Sequence, residues 1–221
     1  MKCGFALLIG TTALLLASSV QAQTSGTSAS PGYKGYVEGV AQATFGNQNS
    51  QSYGAELGYK VTKNLQVFVD LGGVRTSAPP ALGTSASVIA GYLTRIQSGS
   101  VSFTVKEPVA FGLVGLKYPV PVKGKLEPYV MGGFGMARIT QDVHFFVSGT
   151  DVTSNLAQFG VALGGDLSGD FNKGMLTLGA GAAYPVWERL VLDFQYRYGR
   201  VFNGDESSNI SRAGLGIGVR F

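Results

Sequence analysis

His144 is the only histidine in the sequence and therefore the only imidazole available as a general base. Asp142, Ser148 and Asp151 lie within a few residues of it, and hydrolases or acyltransferases combine such residue types with histidine. A solvated histidine in a polar loop explains the same residues with fewer assumptions. We therefore expect a protein that is not an enzyme, with catalysis through His144 as a remote alternative.

A second group of polar residues, Asp166, Ser168 and Asp170, resembles a fragment of a calcium-binding loop. The full loop has oxygen ligands at three alternate positions, a following glycine and a later glutamate. Here Gly169 precedes Asp170, and no glutamate stands at the required spacing. We expect a polar turn here and no metal site.

Two glycine-rich stretches, 132–135 and 214–218, have a superficial likeness to nucleotide-binding loops. Such a loop must join a strand to a helix, whereas these glycines lie inside predicted strands. The single cysteine, Cys3, precedes the apolar run near the N-terminus, so the mature chain is expected to lack a thiol. The net charge of +4 is too mild to indicate nucleic acid. We expect no cofactor and no nucleic-acid partner.

The N-terminal residues are typical of an export signal. Lys2 is followed by an apolar run at 5–17 and by small residues at 20–22, where cleavage would occur. The run is too short for a membrane-spanning helix. We therefore predict a signal peptide at 1–22, a flexible periplasmic lead-in at 23–34, and one domain at 35–221.

The rest of the chain is apolar without containing long apolar runs. Charged residues are 14% of the sequence, about half the usual share, and 45% of residues are hydrophobic. Apolar and polar residues alternate instead, as in residues 212–221, where Leu215 and Ile217 occupy one face and Gly216 and Gly218 the other.

Eight segments show this alternation, and the connections between them alternate between short and long. The sequence therefore predicts an all-β, eight-stranded antiparallel up-and-down transmembrane β-barrel, with short periplasmic turns and long outer loops at 77–107 and 140–173. The predicted strands are 35–46, 53–61, 65–71, 108–119, 126–138, 176–184, 190–199 and 212–221.

Both long loops keep some periodicity. Alternation at 99–109 and 138–149 predicts that the fourth and fifth strands extend past the membrane as a paired ribbon. Short helices are expected at 86–97 and 152–164, with Ser87 and Thr153 as N-caps. The apolar ribbon residues either contact a partner or lipopolysaccharide, or cover each other; they are Val101, Phe103, Phe145, Phe146 and Val147.

The polar strand face carries few ionisable residues, and the two signs are balanced. A soluble surface would hold many more lysines and glutamates, whereas a narrow barrel interior needs paired charges. We therefore predict a charge network in the lumen. Its members are Glu38, Glu56, Asp70, Glu127 and Asp193 against Lys60, Lys117, Arg197, Arg212 and Arg220.

Aromatic residues cluster near the strand ends, although aromatics are common in strands generally. Because these aromatic residues fall at both ends of the strands, they predict aromatic girdles at the two membrane interfaces. Tyr59, Tyr118, Tyr184 and Trp187 lie near the short turns, and Tyr53, Phe134 and Tyr198 lie near the long loops.

With its signal peptide, its eight amphipathic strands, the stretch 129–135 and the terminal strand 212–221, the chain resembles the OmpA-like and opacity-protein-like outer-membrane barrels. Its last residues, Gly214, Gly216, Gly218 and Phe221, are similar to the signal that the barrel-assembly machinery recognises. The resemblance implies an outer-membrane location, contact with lipid and lipopolysaccharide, and a monomer. It implies either a structural or surface-interaction role, with an extracellular ligand bound through the long loops, or a small passive porin-like pore.

Overall fold

The computed structural model describes residues 32–46, 48–97, 99–164, 167–203 and 206–221. The expected signal peptide at 1–22, most of the lead-in at 23–34, and Asp166 lie outside the described residues. Within these ranges, no helix combines the length and the apolar character that crossing a bilayer requires.

The described chain forms ten strands, one α-helix and one short 3-10 helix. The helices are α1 (Pro80–Ile96) and the 3-10 helix Thr153–Phe159. The strands are β1 (Gly35–Gly46), β2 (Ser50–Thr62), β3 (Leu65–Val74), β4 (Val101–Lys106), β5 (Val109–Pro119), β6 (Glu127–Val147), β7 (Thr150–Asp151), β8 (Ser168–Pro185), β9 (Leu190–Asn203) and β10 (Glu206–Arg220).

Eight of the strands close into a ring in the order β1-β2-β3-β5-β6-β8-β9-β10, and β10 pairs with β1. Every pairing is antiparallel and joins strands that are consecutive around the ring. The predicted eight-stranded up-and-down barrel is confirmed. Because the ring has no free edge, the backbone of each strand finds its hydrogen-bond partners within the barrel wall.

The register shows how far the strands are staggered. Stepping from Ala137 in β6 through each paired neighbour around the ring returns to β6 at Glu127, ten residues away. A closed barrel of this kind has a strand tilt of about 40°, and an eight-stranded interior is just wide enough for side chains. The intermediate residues are Phe111, Gly72, Gly54, Val40, Gly216, Asp193 and Ala183.

Side chains divide between the two faces as the alternation predicted. On β10, Leu215 and Ile217 point outward and are more than half exposed, whereas Arg212 and Gly216 point inward and are buried. On this strand the outer face is apolar and the inner face is polar or small, the reverse of the arrangement in a soluble barrel.

The long loops are more ordered than expected. β6 runs to Val147 and β8 begins at Ser168, because the two strands stay paired as far as Asp142 and Ser168. Segments 140–147 and 168–173 are therefore strand, and Ser168 and Asp170 lie in β8 rather than in a polar turn. β4 pairs with β6 beyond the barrel, with Phe103 opposite Phe145, so the predicted ribbon is confirmed.

Both helix starts differ from the prediction. α1 begins at Pro80 rather than at residue 86, because proline at the first helical position supplies the right backbone angle and needs no amide partner. Ser87 lies inside the helix, where its hydroxyl donates to the Thr84 carbonyl. Val152 is the N-cap residue of the 3-10 helix, and Thr153 instead accepts a hydrogen bond from the Phe145 amide.

Inward glycines provide room for large side chains from neighbouring strands. A Cβ at Gly58 would lie 2.0 Å from the Tyr36 ring, and a Cβ at Gly216 would lie 1.7 Å from Glu38 Oε1. At each of these glycines, the space that a side chain would fill is occupied by a side chain of β1, Tyr36 or Glu38. The high glycine content of the strands follows from the narrowness of the interior.

Gly58→Ala should destabilise the barrel by about 1–3 kcal/mol, because the added methyl group overpacks a filled interior. Gly39→Ala is the matched control, since Gly39 faces outward with nothing within 4 Å of its Cβ position; it should change stability by less than about 0.5 kcal/mol. Denaturant unfolding of both variants in lipid vesicles measures the difference. Equal effects would contradict the assignment of Gly58 to the interior.

Candidate functional site: a layered lumen beneath a folded cap

The structure brings the ten ionisable residues predicted for the lumen into the barrel interior. Lys60 and Glu127 are half-buried near the short-turn end. The other eight are buried: Glu38, Glu56, Asp70, Lys117, Asp193, Arg197, Arg212 and Arg220.

Glu56 and Arg197 form the centre of this network. Glu56 accepts hydrogen bonds from Lys117 Nζ and Arg197 Nη2, each at 2.5 Å, and from the Tyr36 hydroxyl at 2.5 Å. Arg197 also donates from Nη1 to Asp70 at 2.6 Å and from Nε to Gln195. One guanidinium group therefore joins β9 to β2 and β3 across the lumen, and each buried charge here has an opposite charge beside it.

A second layer lies at the short-turn end. Arg220 donates two hydrogen bonds to Glu127, at 3.0 and 2.5 Å. The guanidinium carbon of Arg220 lies 4.2 Å from the centre of the Tyr33 ring, and Lys60 Nζ lies 3.3 Å from it. Tyr33 thus joins two cations at the entrance of the lumen through cation–π contacts.

The sequence analysis did not include Tyr36 or Tyr129 in the lumen, although both donate hydrogen bonds to network carboxylates. The sequence did contain an indication of this position. Residues two apart in a strand point to the same face, so Tyr36 lies on the same face as Glu38, and Tyr129 on the same face as Glu127. The glycines opposite them, Gly58 for Tyr36 and Gly181 for Tyr129, make room for these large side chains inside the barrel.

Glu38 and Asp193 differ from the other carboxylates. Gln195 donates to Glu38 at 2.9 Å and Tyr129 donates to Asp193 at 2.7 Å. Within the described ranges, neither carboxylate lies within 4 Å of a cationic nitrogen. Both line a partly open cavity in the short-turn half of the lumen.

The long-loop half of the lumen is apolar. We call the buried cluster that fills it the apolar plug. The sequence indicated an apolar interior at one point, because the predicted strand 108–119 carries apolar residues on both faces. Its members are Val74, Val109, Phe111, Leu113, Ala137, Ile139, Met175, Val201 and Ile210.

A separate apolar cluster lies beyond the barrel, and we call the part of the chain that forms it the cap. One face of α1 packs against Val143 and Phe145 of β6, and Phe103 lies beside Phe145 with ring centres 6.3 Å apart. Of the apolar ribbon residues, Val101, Phe103 and Phe145 belong to this cluster and pack with α1 as well as with each other. Phe146 instead stacks beside His144 on the opposite face of the ribbon. The buried members are Leu82, Ala86, Ala90, Leu93, Val143, Phe145, Leu156 and Leu167.

His144 lies on the opposite, polar face of the ribbon. Its Nδ1 is 2.8 Å from Asp151 Oδ2, and its Nε2 is 2.9 Å from Asp142 Oδ1. Hydrogen bonds from Thr153, together with the one from His144, lower the pKa of Asp151 to about 2. Both ring nitrogens face carboxylates, so neither is positioned to take a proton from Ser148.

Asp170 belongs to the same face. Hydrogen bonds from Thr140 and Arg138, at 2.5 and 2.6 Å, lower its pKa. No three histidine, cysteine, aspartate or glutamate side chains in the described ranges are grouped in a way that could hold a metal ion.

Comparison with known families decides what kind of barrel this is. Residues 10–221 match the family described as outer membrane protein beta-barrel domain. The chain belongs to this family. It is therefore a protein of the outer membrane. In barrels of this kind the short turns lie in the periplasm and the longer loops at the cell surface. A search of curated proteins found no match.

Solved outer-membrane barrels share the fold at low sequence identity. Neisserial surface protein A is 14% identical, with a TM-score of 0.54, over 86% of this chain and 97% of that one. A major outer membrane protein from Thermus thermophilus is 12% identical, with a TM-score of 0.53, over 85% of this chain and 99% of that one.

The outer surface of this outer-membrane barrel presents the aromatic residues that were predicted to form girdles. Tyr198 is half-exposed, and the other six are exposed: Tyr53, Tyr59, Tyr118, Phe134, Tyr184 and Trp187. In the predicted assembly signal, Gly214, Gly216 and Gly218 lie on the inward face of β10, and Phe221 is exposed beside β1. The Phe221 carbonyl accepts hydrogen bonds from the Lys34 and Gly35 amides, so the C-terminus closes the barrel seam.

Arg197→Met should destabilise the barrel by about 3–5 kcal/mol, because it leaves two buried carboxylates without their common cation. Adding Asp70→Asn to that variant should restore part of the loss, since one uncompensated charge is removed. Arg138→Met is the control: the Arg138–Asp170 pair is exposed and should contribute about 0–1 kcal/mol. Denaturant unfolding in vesicles measures the stability of all three variants. If Arg197→Met loses no more stability than Arg138→Met, Arg197 does not have a central role.

Proposed function

We propose that this outer-membrane barrel is a closed scaffold that holds a folded cap at the cell surface for interaction with other molecules. The apolar plug is the observation that supports this proposal. A passive pore requires a continuous path of water, and a close-packed apolar cluster excludes water. The plug fills the outer half of the lumen, directly beneath the cap.

The charge network supports the same conclusion for the middle of the barrel. Its ion pairs at Glu56, Arg197 and Asp70 span the lumen with side chains that are almost completely buried. Opening a path here would expose and separate paired charges. The cavity at the periplasmic end is bordered by network residues, among them Glu38, Lys117 and Asp193, and this lining supports a vestibule rather than half of a channel.

The cap has two exposed surfaces that suit an extracellular ligand. On the polar face of the ribbon, hydrogen bonds hold Asp142, His144 and Asp151 in fixed positions. On the outer side of α1, Val88, Tyr92 and Ile96 are 68, 46 and 44% exposed and recur at helical spacing. The cap is ordered by its own core, so a ligand would not have to order a flexible loop.

Lipopolysaccharide is a further partner in this proposal. Three exposed arginines lie toward the long-loop side of the barrel: Arg75 directly follows β3, Arg200 lies near the end of β9, and Arg138 lies on β6 paired with Asp170. Guanidinium groups bind phosphate through paired hydrogen bonds, and lipopolysaccharide carries phosphates at this depth. We further propose that the protein acts as a monomer and is inserted by the barrel-assembly machinery.

Catalysis is not part of the proposal, because His144 lacks the arrangement that a general base requires. A base needs one ring nitrogen directed at the nucleophile and the other oriented by a partner. Here two carboxylates occupy both positions. This arrangement stabilises the hairpin between β6 and β7.

Planar-bilayer recordings test the closed scaffold. The unchanged protein should give no stable conductance steps, whereas the double variant Phe111→Ala, Ile139→Ala should give them because it hollows the plug. Leu178→Ala, which shortens an outward side chain, is the control and should stay silent. Stable steps in the unchanged protein that disappear when Arg197 or Glu56 is replaced would establish the pore instead.

Unfolding in vesicles with and without lipopolysaccharide tests the proposed outer contact. Lipopolysaccharide should stabilise the unchanged protein, since a ligand that binds only the folded state raises its stability. The double variant Arg75→Gln, Arg200→Gln should lose most of this gain. Lys63→Gln, in the periplasmic turn between β2 and β3, should keep it. If all three proteins gain equally, the rim arginines are not the contact.

A further inference from the structure

At the seam between β1 and β10, three buried polar side chains have donor atoms that find no hydrogen-bond partner among the described residues. They are Arg212 Nε and Nη2, Gln42 Nε2 and Thr44 Oγ1. The residues are only 1, 6 and 2% exposed, respectively. A buried donor without an acceptor is costly, and a buried cation without one costs more. From this arrangement we propose that the seam binds a small inorganic anion of the halide class.

The unpartnered atoms are brought together by the strand register. Thr44 pairs directly with Arg212, and both side chains face inward. Gln42 pairs with Gly214, which is two residues from Arg212 on the same face. Directly paired residues on one face have Cβ atoms about 4.5–5.5 Å apart, so the hydroxyl and the guanidinium reach the same space. Nε and Nη2 form the side edge of the guanidinium, which binds an acceptor with two parallel hydrogen bonds.

The charge of Arg212 also lacks a close counter-ion in the described part of the chain. The nearest carboxylate oxygen, Asp70 Oδ2, is 3.9 Å from Arg212 Nη2, and Arg197 binds that same oxygen at 2.6 Å. The ring of Phe111, a member of the apolar plug, lies 4.4 Å from the guanidinium carbon of Arg212. A water molecule would satisfy the donors but would leave the charge uncompensated. An anion satisfies both requirements.

The surroundings limit the size of the anion. The plug packs on one side of Arg212 and the Glu56–Arg197 network on the other, so a single atom fits there with less displacement than a phosphate or sulfate group. Thr44 also borders a narrow pocket at the outer rim, lined in addition by Val74, Ser77, Asn209 and Ile210.

Crystals of the full-length mature protein grown in bromide test the site directly. An anomalous peak is expected within hydrogen-bond distance of Arg212 Nε and Thr44 Oγ1. Thr44→Val keeps the side-chain shape and removes the hydroxyl, so it should lower the apparent halide affinity about tenfold. Arg212→Gln should abolish the peak. Thr177→Val is the matched control: Thr177 is an equally buried inward threonine whose hydroxyl donates to the Tyr198 carbonyl, and its peak should be unchanged.

A solution measurement keeps the proposal falsifiable if Arg212→Gln does not fold. The temperature at which the folded gel band disappears should rise with chloride for the unchanged protein and for Thr177→Val, compared with gluconate at equal ionic strength. The rise should be much smaller for Thr44→Val. The proposal is overturned if the site contains ordered water without an anomalous signal. It is also overturned if Thr44→Val and Thr177→Val respond equally to chloride, or if bromide binds as an adventitious ion only, with equal peaks at exposed arginines.

Discussion

The barrel depends on the pairing of charges in a space too narrow for bulk water. Arg197 holds Glu56 and Asp70 from two other strands, and Glu56 also binds Lys117. Removing any one of these charges from water is unfavourable, so each needs its partner at contact distance. The ten-residue stagger of the register brings the strands close enough for this pairing. The inward glycines are a consequence, since the long polar side chains fit only where the opposite strand has none.

The interior changes character along its length. The periplasmic half contains carboxylates, tyrosines and cations around a cavity, and the outer half contains the apolar plug. Arg212 lies at the boundary, with Phe111 on one side of its guanidinium and Asp70 beyond hydrogen-bond range. A surface protein gains from this order, because the plug protects the ion pairs from the medium outside the cell.

The fold was largely predictable because strand periodicity reports which face each side chain occupies. That periodicity identified all eight barrel strands and placed the ionisable residues inside. It failed where other interactions dominate. The extension of β8 back to Ser168 depends on its partner β6 rather than on its own pattern. The start of α1 depends on Pro80. The plug was not predicted because β5 is apolar on both faces. When both faces of a strand are apolar, alternation does not indicate which face points into the lumen.

The candidate site was predictable in its members but not in its connections. The sequence showed that five acidic and five basic residues occupy the polar faces of the strands. It did not show that Arg197 pairs with Glu56, because these residues are far apart in the chain and meet only when the barrel closes. The covering of Phe145 by α1 was missed for a similar reason. The two strands of the ribbon were recognisable, but a helix packed across them leaves no mark on their alternation.

β6 has a mechanical consequence. It runs without interruption for 21 residues from the periplasmic turn to the hairpin of the cap, and β5 and β8 flank it through the barrel wall. A pull on the cap, as when a cell is held against a surface in flowing liquid, acts along this strand. The load is then shared by many backbone hydrogen bonds in shear, which must break together, rather than one after another as in peeling. The architecture is therefore suited to bearing tension.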